Sequence, residues 1–477
     1  MIGLIILAIV VLFLAVLIIR AATFKPKAQP ALSEENVTVD IDTAVSNLQQ
    51  LVQCRTVSYN DHEQEDKAEF RKLKDLLPKL YPHVFAACEY REFPEEAVLL
   101  RWPGKTAGDP AVMMAHYDVV PVDESKWEKP PFAGILEDGV IWGRGTLDTK
   151  VSLASSLYAA NVLIAEGFVP EHDVYFAFSG GEEVNGLGAV RIVDYFEEQG
   201  ITPSMVVDEG GAVVEGVFPG VKASCAMIGI AEKGLINAKY TVSSAGGHAS
   251  APPVKTPVTT LAKACRSVID HPFKMHLTKP AALMFDTLAR HSSFVYKLIF
   301  SNLWCFKPVL DMICKGSGGE MNALVRTTTA FTMMEGSSAR NVIPTEASLV
   351  SNMRLNPCDS VAGAVEYLNK VVADESVKIT TLDAFEPSRI STTDCEGWQK
   401  LASAVASTWR GCVVTPYLMV QCSDSRHYGR ISDKVFRFSA MDLTKEERTT
   451  IHGNNERIRV ECLAKASEFY VRLLKSC

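Results

Sequence analysis

The 477-residue sequence predicts an α/β fold interrupted by a smaller α+β insert, with one membrane-spanning helix ahead of both. Three observations carry that expectation. Short, fully apolar runs alternate with helical stretches from about residue 42 to 231. Half-polar alternating runs replace them after residue 232, and an unbroken apolar run opens the chain. A chain of this length also exceeds one ordinary core, so more than one folded unit is expected.

The opening run, "IGLIILAIVVLFLAVLII" at 2–19, is followed by Arg20, Lys25 and Lys27. A spanning helix needs about 20 apolar residues, and the apolar region of a signal peptide usually has about 7–15. No basic residue precedes the run and no small-x-small site follows it. Residues 1–22 therefore read as a single-pass anchor rather than a cleaved signal. The trailing charges place the body in the cytoplasm by the positive-inside rule. The sequon Asn36-Val37-Thr38 argues for the other side, so both orientations stay open.

Residues 23–41, with few apolar positions, read as a linker. A helix follows near 42–53, with Ile41, Val45, Leu48 and Val52 on one face. "AVMMA" (111–115), "VYFAF" (174–178) and "MVVD" (205–208) are short and wholly apolar up to their ends, as buried parallel strands are. Between the first two, 150–167 has helical periodicity and a glycine stop. The first part of the main domain is thus 42–232 and the insert 233–382, where "AKYTVSSA" and "ASLVSNMRL" read as half-exposed antiparallel strands. The α/β texture returns over 383–477. Within the insert, 292–313 is apolar but carries Lys297, Asn302, Lys307 and Asp311, which disfavours a second span. It reads as a buried helical insertion; the alternative is an apolar wall for an acyl chain, facing the membrane.

Composition excludes some functions. The net charge of −8, without a basic block, argues against a nucleic-acid partner. Twelve cysteines without CxxC pairs or even spacing indicate neither a zinc ribbon nor a disulfide framework.

The candidate site residues each sit at the end of an apolar run. His116 and Asp118 follow "VMMA"; Asp148 lies in the Gly-rich "GRGTLDTK"; Glu182 and Glu183 follow "YFAFSGG"; Asp208 and Glu209 follow "SMVV". Ligands of open α/β sheets bind beyond the carboxyl ends of the strands, so these groups converge on one crevice. That many carboxylates repel unless cations are present, and two Zn²⁺ with His, Asp and Glu ligands would balance them. Each piece alone has an ordinary reading: His-x-Asp as a loop pair, Glu-Glu as solvated surface, "DEGG" as a turn. The joint arrangement carries the inference.

The stretch 113–150 with "GGEEVNGLGA" resembles the di-zinc amidohydrolase and peptidase family of aminoacylase, carboxypeptidase S and peptidase T. It is most similar to the carboxypeptidase S and N-fatty-acyl-amino-acid hydrolase/synthase branch. The likeness continues through "VSSAGGHASAPP", "NVIPTEA", "SDSRHYG" and "IHGNNERI", over roughly 45–475. It implies a zinc-exopeptidase-like catalytic domain with the insert as a lid. It implies that Asp148 bridges two zinc ions, that His116 and Asp208 (with Glu209 as its substitute) complete one, and that Glu183 and His452 complete the other. By the same likeness Asp118 orients His116, and Glu182 is the general base toward a water between the metals. A cis peptide bond between Asp148 and Thr149 is also expected. His248 would stabilise the oxyanion, and Asn341, Arg354 and Arg426 would bind the substrate carboxylate.

The implied activity is hydrolysis of N-acyl amino acids or of C-terminal peptide bonds in short peptides. The alternative is reversible synthesis and hydrolysis of N-fatty-acyl amino acids. A zinc aminopeptidase and a non-catalytic relative rank below both, because the lid and every catalytic position are present. The expected partners are a small substrate with a free carboxylate, the membrane through the N-terminal helix, and a second copy through the lid.

Overall fold

A computed structural model describes all 477 residues. Its centre is an eight-stranded sheet. Across it run Glu89–Phe93, Ala97–Trp102, Val174–Ser179, Ala111–His116, Met205–Val214, Val435–Leu443, Cys225–Glu232 and Val413–Met419. Val174–Ser179, Ala111–His116, Met205–Val214 and Val435–Leu443 are mutually parallel and point their carboxyl ends to one rim. Ala111–His116 and Val174–Ser179 are buried at every position, which is why they read as continuous apolar runs.

The helix Lys150–Ala165 packs on this sheet and against the helices Ile41–Val52 and Val460–Lys475. Covered on all sides, it is buried at both polar and apolar positions. Its first residue, Lys150, is fully buried and donates to the carbonyls of Leu51 and Cys54 at 3.0 and 2.7 Å. Those carbonyls lie at and just beyond the end of the helix Ile41–Val52, where they also accept from the backbone N–H groups of Cys54 and Thr56. One ammonium thus ties the start of the catalytic loop's helix to the first helix of the body.

A second sheet runs Thr328–Glu335, Glu346–Leu355, Gly234–Ser243, Lys378–Phe385, antiparallel throughout. With the helices Pro257–Asp270 and Val361–Val372 it encloses its own core, including Ile236, Tyr240, Leu261, Met353 and Leu368. Residues 233–382 do not all join this second core. The helices between Lys279 and Val325 put Met284, Phe285, Leu288, Leu310 and Leu324 into the main core instead. Amphipathic helices follow whichever sheet face is left uncovered, and here the helix Lys279–Arg290 covers Val413–Met419. The linker also differs from expectation: Ser33, Gln29 and Asp40 hydrogen-bond to Ser407, Val414 and Tyr158 of the body.

The first helix, Ile2–Thr23, is long and apolar enough to cross a membrane. Only Leu17 and Ala21 of its residues are buried.

Candidate active site

His116 is the last residue of its strand and is buried. Its Nδ1 donates to the backbone oxygen of Asp118 at 3.0 Å, with the Asp118 carboxylate 3.4 Å away. A carbonyl can only accept, so Nδ1 carries a proton and Nε2 is left to face the site. There Nε2 meets Asp148 Oδ1 at 3.0 Å and Glu209 Oε1 at 3.4 Å.

Asp118 also sets the glutamate pair. Its carboxylate accepts from Ser58 Oγ at 2.7 Å and from the backbone N–H groups of Glu182 and Glu183, both at 3.2 Å. After the Gly180-Gly181 bend the chain makes a short 3₁₀ turn over Glu182–Val184, closed by Asn185 in the left-handed region. A bent turn is what lets two neighbouring acids share a site. Glu183 Oε2 meets His452 Nε2 at 2.9 Å.

Asp148 lies between the imidazoles: Oδ1 faces His116, and Oδ2 faces His452 Nε2 at 3.0 Å. The peptide bond to Thr149 is cis, as expected. The loop before it is held by a residue absent from the sequence reading. Glu456, fully buried, accepts from the N–H groups of Gly145, Leu147 and Asp148 at 3.0, 2.7 and 3.2 Å and from Arg144 Nη1 at 2.7 Å. Its only signal was position, four residues beyond His452 in "IHGNNERI".

At "VVDEGG" the structure departs from the first-ranked expectation. Glu209, not Asp208, faces His116; Asp208 is turned away and accepts from the backbone N–H of Ser425 at 3.0 Å. The strand does not end at residue 208 but continues to Val214, and consecutive strand side chains point to opposite faces, so only one of the two acids reaches the site. Register with Val435–Leu443 slips between Asp208 and Gly211. A side chain at Gly211 would sit 1.7 Å from the Met227 carbonyl, so glycine is required where the strands close.

The electrostatics match an excess of acids. Burial and then the Glu209 charge push Glu182 well above the ordinary carboxylate range, and burial and then Asp148 do the same for Glu209. Burial and then Asp424 raise Asp208 to about 6. Burial opposes a charge on His116, but Glu209, Asp118 and Asp148 outweigh it. Ligand atoms of His116, Asp148 and Glu183, and again of His116, Glu182 and Glu209, lie within 4.8 Å of one another. Imidazole and carboxylate groups in that spacing fit divalent metal ions.

The acids open onto a cavity of about 560 Å³. Asp148, Glu182, Glu209 and His452 line one part of it, and Val214, Val217, Met227, Tyr417, Met419, Met441 and Leu443 line another. The four other predicted groups, His248, Asn341, Arg354 and Arg426, are not among its lining residues. His248 and Asn341 are exposed at a small pairing of two distant segments of the insert, Gly247–His248 with Val342–Ile343, where Ala249 N–H donates to the Asn341 carbonyl. Arg426 donates to the Ser423 carbonyl and lies over Phe385. Arg354 contacts Cys422, which does line the cavity, at 3.0 Å. The arginine on the cavity wall itself is Arg448, beside His452. It escaped notice because "EERTT" reads as an ordinary charged helix.

A buried His-carboxylate cluster at the carboxyl rim of an α/β sheet defines a metal-dependent hydrolase. Comparison with known proteins agrees: residues 112–476 match the model of peptidase family M20/M25/M40. The chain is 32% identical to the "Probable carboxypeptidase S-like 2" of Dictyostelium discoideum, over 98% of this chain and 92% of that protein. It is also 32% identical to the N-fatty-acyl-amino acid synthase/hydrolase PM20D1 of Xenopus tropicalis, over 98% and 93%. Among solved structures, the M20 family metallo-carboxypeptidase Sso-CP2 of Sulfolobus solfataricus superimposes with a TM-score of 0.65 at 18% identity, covering 91% of this chain and 98% of that one. Human carnosine dipeptidase 1 gives 0.63 at 15%, covering 91% and 96%. The chain therefore belongs to peptidase family M20/M25/M40 and is a metal-dependent hydrolase of that family.

Proposed function

We propose that this protein cleaves, and under product excess forms, the amide bond between an acyl group and an amino acid with a free carboxylate, using two zinc ions. The observation that carries the two-metal reading is Asp148, whose two oxygens each face a different imidazole at 3.0 Å. A carboxylate so shared is suited to bridge a metal pair. His116 and Glu209 would complete one ion's protein ligands, and Glu183 and His452 the other's. When bound, the ions would polarise the scissile carbonyl and make water nucleophilic near neutral pH.

The chain's own residues do the rest. Glu182, on the cavity wall and without a hydrogen-bonded cationic partner, is placed to take a proton from the attacking water and deliver it to the leaving nitrogen. Asp118 keeps His116 in one tautomer and holds the backbone of Glu182 and Glu183. Arg448, at the mouth beside His452, is suited to the substrate carboxylate through its planar fork. His248 and Asn341 would act only through closure of the insert as a lid, or from a second copy.

The apolar part of the cavity supports a long acyl chain over a short peptide, and the frog relative's name points the same way. The burial of Leu17 and Ala21 against the body supports a retained anchor over a cleaved leader. The test is turnover by purified, zinc-loaded protein of N-oleoyl- and N-acetyl-amino acids and of dipeptides, with metal content measured alongside. The expected order is oleoyl above acetyl above dipeptide. Dipeptide preference would refute the acyl-chain reading, and inactivity on all three with zinc bound would refute the function.

A further inference from the structure

We infer that the helical layer from Phe294 to Ser317 is seated in a lipid bilayer beside the N-terminal helix, so that the body dips into the membrane instead of hanging from a tether. The inference rests on Ile2–Thr23 being a retained transmembrane anchor.

The layer is attached to that helix at three levels. Arg20 donates twice to the Ser301 carbonyl, at 3.1 and 2.8 Å. One turn toward the N-terminus, the fully buried Asn302 donates to the Leu17 carbonyl at 3.1 Å. A further turn along, Trp304 meets the Phe13 ring edge-on at 5.9 Å. Below the span, Lys27 pairs with Asp286 at 2.7 Å and Arg290 stacks on Phe24, which fixes the angle at which the anchor leaves the body.

These contacts set a depth. The apolar run 2–19 has 18 residues, which at 1.5 Å each rise about 27 Å, barely the hydrocarbon thickness of about 30 Å. No length is spare. If the layer stayed outside the membrane up to Phe13, only residues 2–12 would be left to span, about 16 Å of helix. With Arg20 at the boundary instead, Phe13 lies about 9 Å inside the last apolar residue, Ile19. Trp304 lies with it. That depth falls within the 5–10 Å or so to which interfacial helices bury their apolar faces.

The surface of the layer has the matching chemistry. Phe294, Val295, Trp304, Val309, Met312 and Ile313 are all exposed, an apolar concentration out of place in water. The charges in the layer are removed from it or free to reach its edge. Asp311 is paired with Arg326 and Lys315 at 2.5 and 2.9 Å, and Lys297 and Lys307 have stems long enough to reach headgroups. The layer packs behind one rim of the cavity. Val217 lines it, and the adjoining Phe218 packs against Phe285, Tyr296 and Phe300 at 5.1–6.2 Å. Seating the layer brings that rim toward the bilayer.

Trp304 is the one exposed tryptophan of six, which supplies the probe. The full chain is reconstituted in nanodiscs of phosphatidylcholine, unmodified or brominated on the upper acyl chain, and tryptophan emission is compared with that of Trp304→Phe. The expected result is quenching by the brominated lipid that is mostly lost in Trp304→Phe. Equal quenching in the two proteins, or none, while the chain stays in the disc would overturn the inference. An unquenched Trp304 with two chains per disc would assign the face to a second copy and overturn it equally. Extraction of the chain by alkaline carbonate would instead break the anchor reading, and this one with it.

Discussion

The carboxyl rim of the main sheet and the exposed strand pair of the insert both carry residues with a claim to catalysis, but the chain treats them differently. At the rim, apart from the local bond between His116 and Asp118, the supporting contacts come from far along the sequence. Glu456 holds the Asp148 loop, Asp118 holds the glutamate turn, and Ser425 holds Asp208. At the strand pair, the side-chain nitrogen of His248 meets only Ser250, two residues away. The acids and imidazoles of the rim are therefore gathered by the chain itself, and His248 and Asn341 stand apart from them.

The largest effect that tests this contrast is expected at Glu182. Glu182→Gln keeps the shape and the hydrogen bond but cannot accept and return a proton. With general acid–base assistance worth typically 10²–10⁴ in rate, kcat falls by about that factor, while zinc content and KM stay near those of the parent. Loss of zinc in Glu182→Gln would move this residue from base to ligand. Glu456→Gln should come next, through stability rather than chemistry. It leaves Arg144 buried without its counter-charge, a change that costs roughly 3–5 kcal/mol when one partner of a buried pair is removed. Chemical denaturation at saturating zinc measures it, and an unchanged midpoint would mean that the loop does not depend on this carboxylate.

The third test separates neighbours. Glu209→Gln should lower zinc occupancy, and added zinc should partly restore activity. Asp208→Asn should retain zinc, because its carboxylate faces Ser425 and not His116. The reverse pattern would restore Asp208 as the ligand.

That third pair also marks where the sequence stops being legible. His116, Asp148 and Glu183 could be read because each follows an apolar run or sits in a glycine-rich motif, and the fold brings those ends to one rim; His452 was reached only through the family resemblance of "IHGNNERI". Asp208 and Glu209 could not be separated. Which of two strand neighbours faces inward depends on register, and register here depends on a bulge against Val435–Leu443 that no local pattern records. Glu456 was invisible for a related reason: its partners Gly145 and Leu147 are more than 300 residues away. The helices from Lys279 to Val325 have clear apolar faces, but an apolar face does not state which of two sheets it will cover.

The smallest effect contrasts two histidines and reads stability against pH. His427 lies at the rim, near the turn that holds Asp208; burial, then the Arg426 and Arg430 charges, lower it to about 4 from its ordinary value near 6.5. Its folded-state value is depressed, so below about 6.5 the unfolded chain binds a proton that the folded chain refuses. Stability contributed by the neutral ring is complete above pH 6.5 and is lost progressively down to about pH 4, with an upper bound of about 3 kcal/mol across that window. His427→Phe should therefore flatten the acid limb of the stability curve between pH 6.5 and 4 and leave its slope above pH 7 alone. His248→Ala, on the exposed strand pair, should shift the whole curve by no more than about 0.5 kcal/mol. Denaturant midpoints for both variants at pH 5 and pH 7.5 give the comparison. If His248→Ala flattens the acid limb as much as His427→Phe does, the strand pair is packed in solution, and the division between a self-gathered rim and an open strand pair fails.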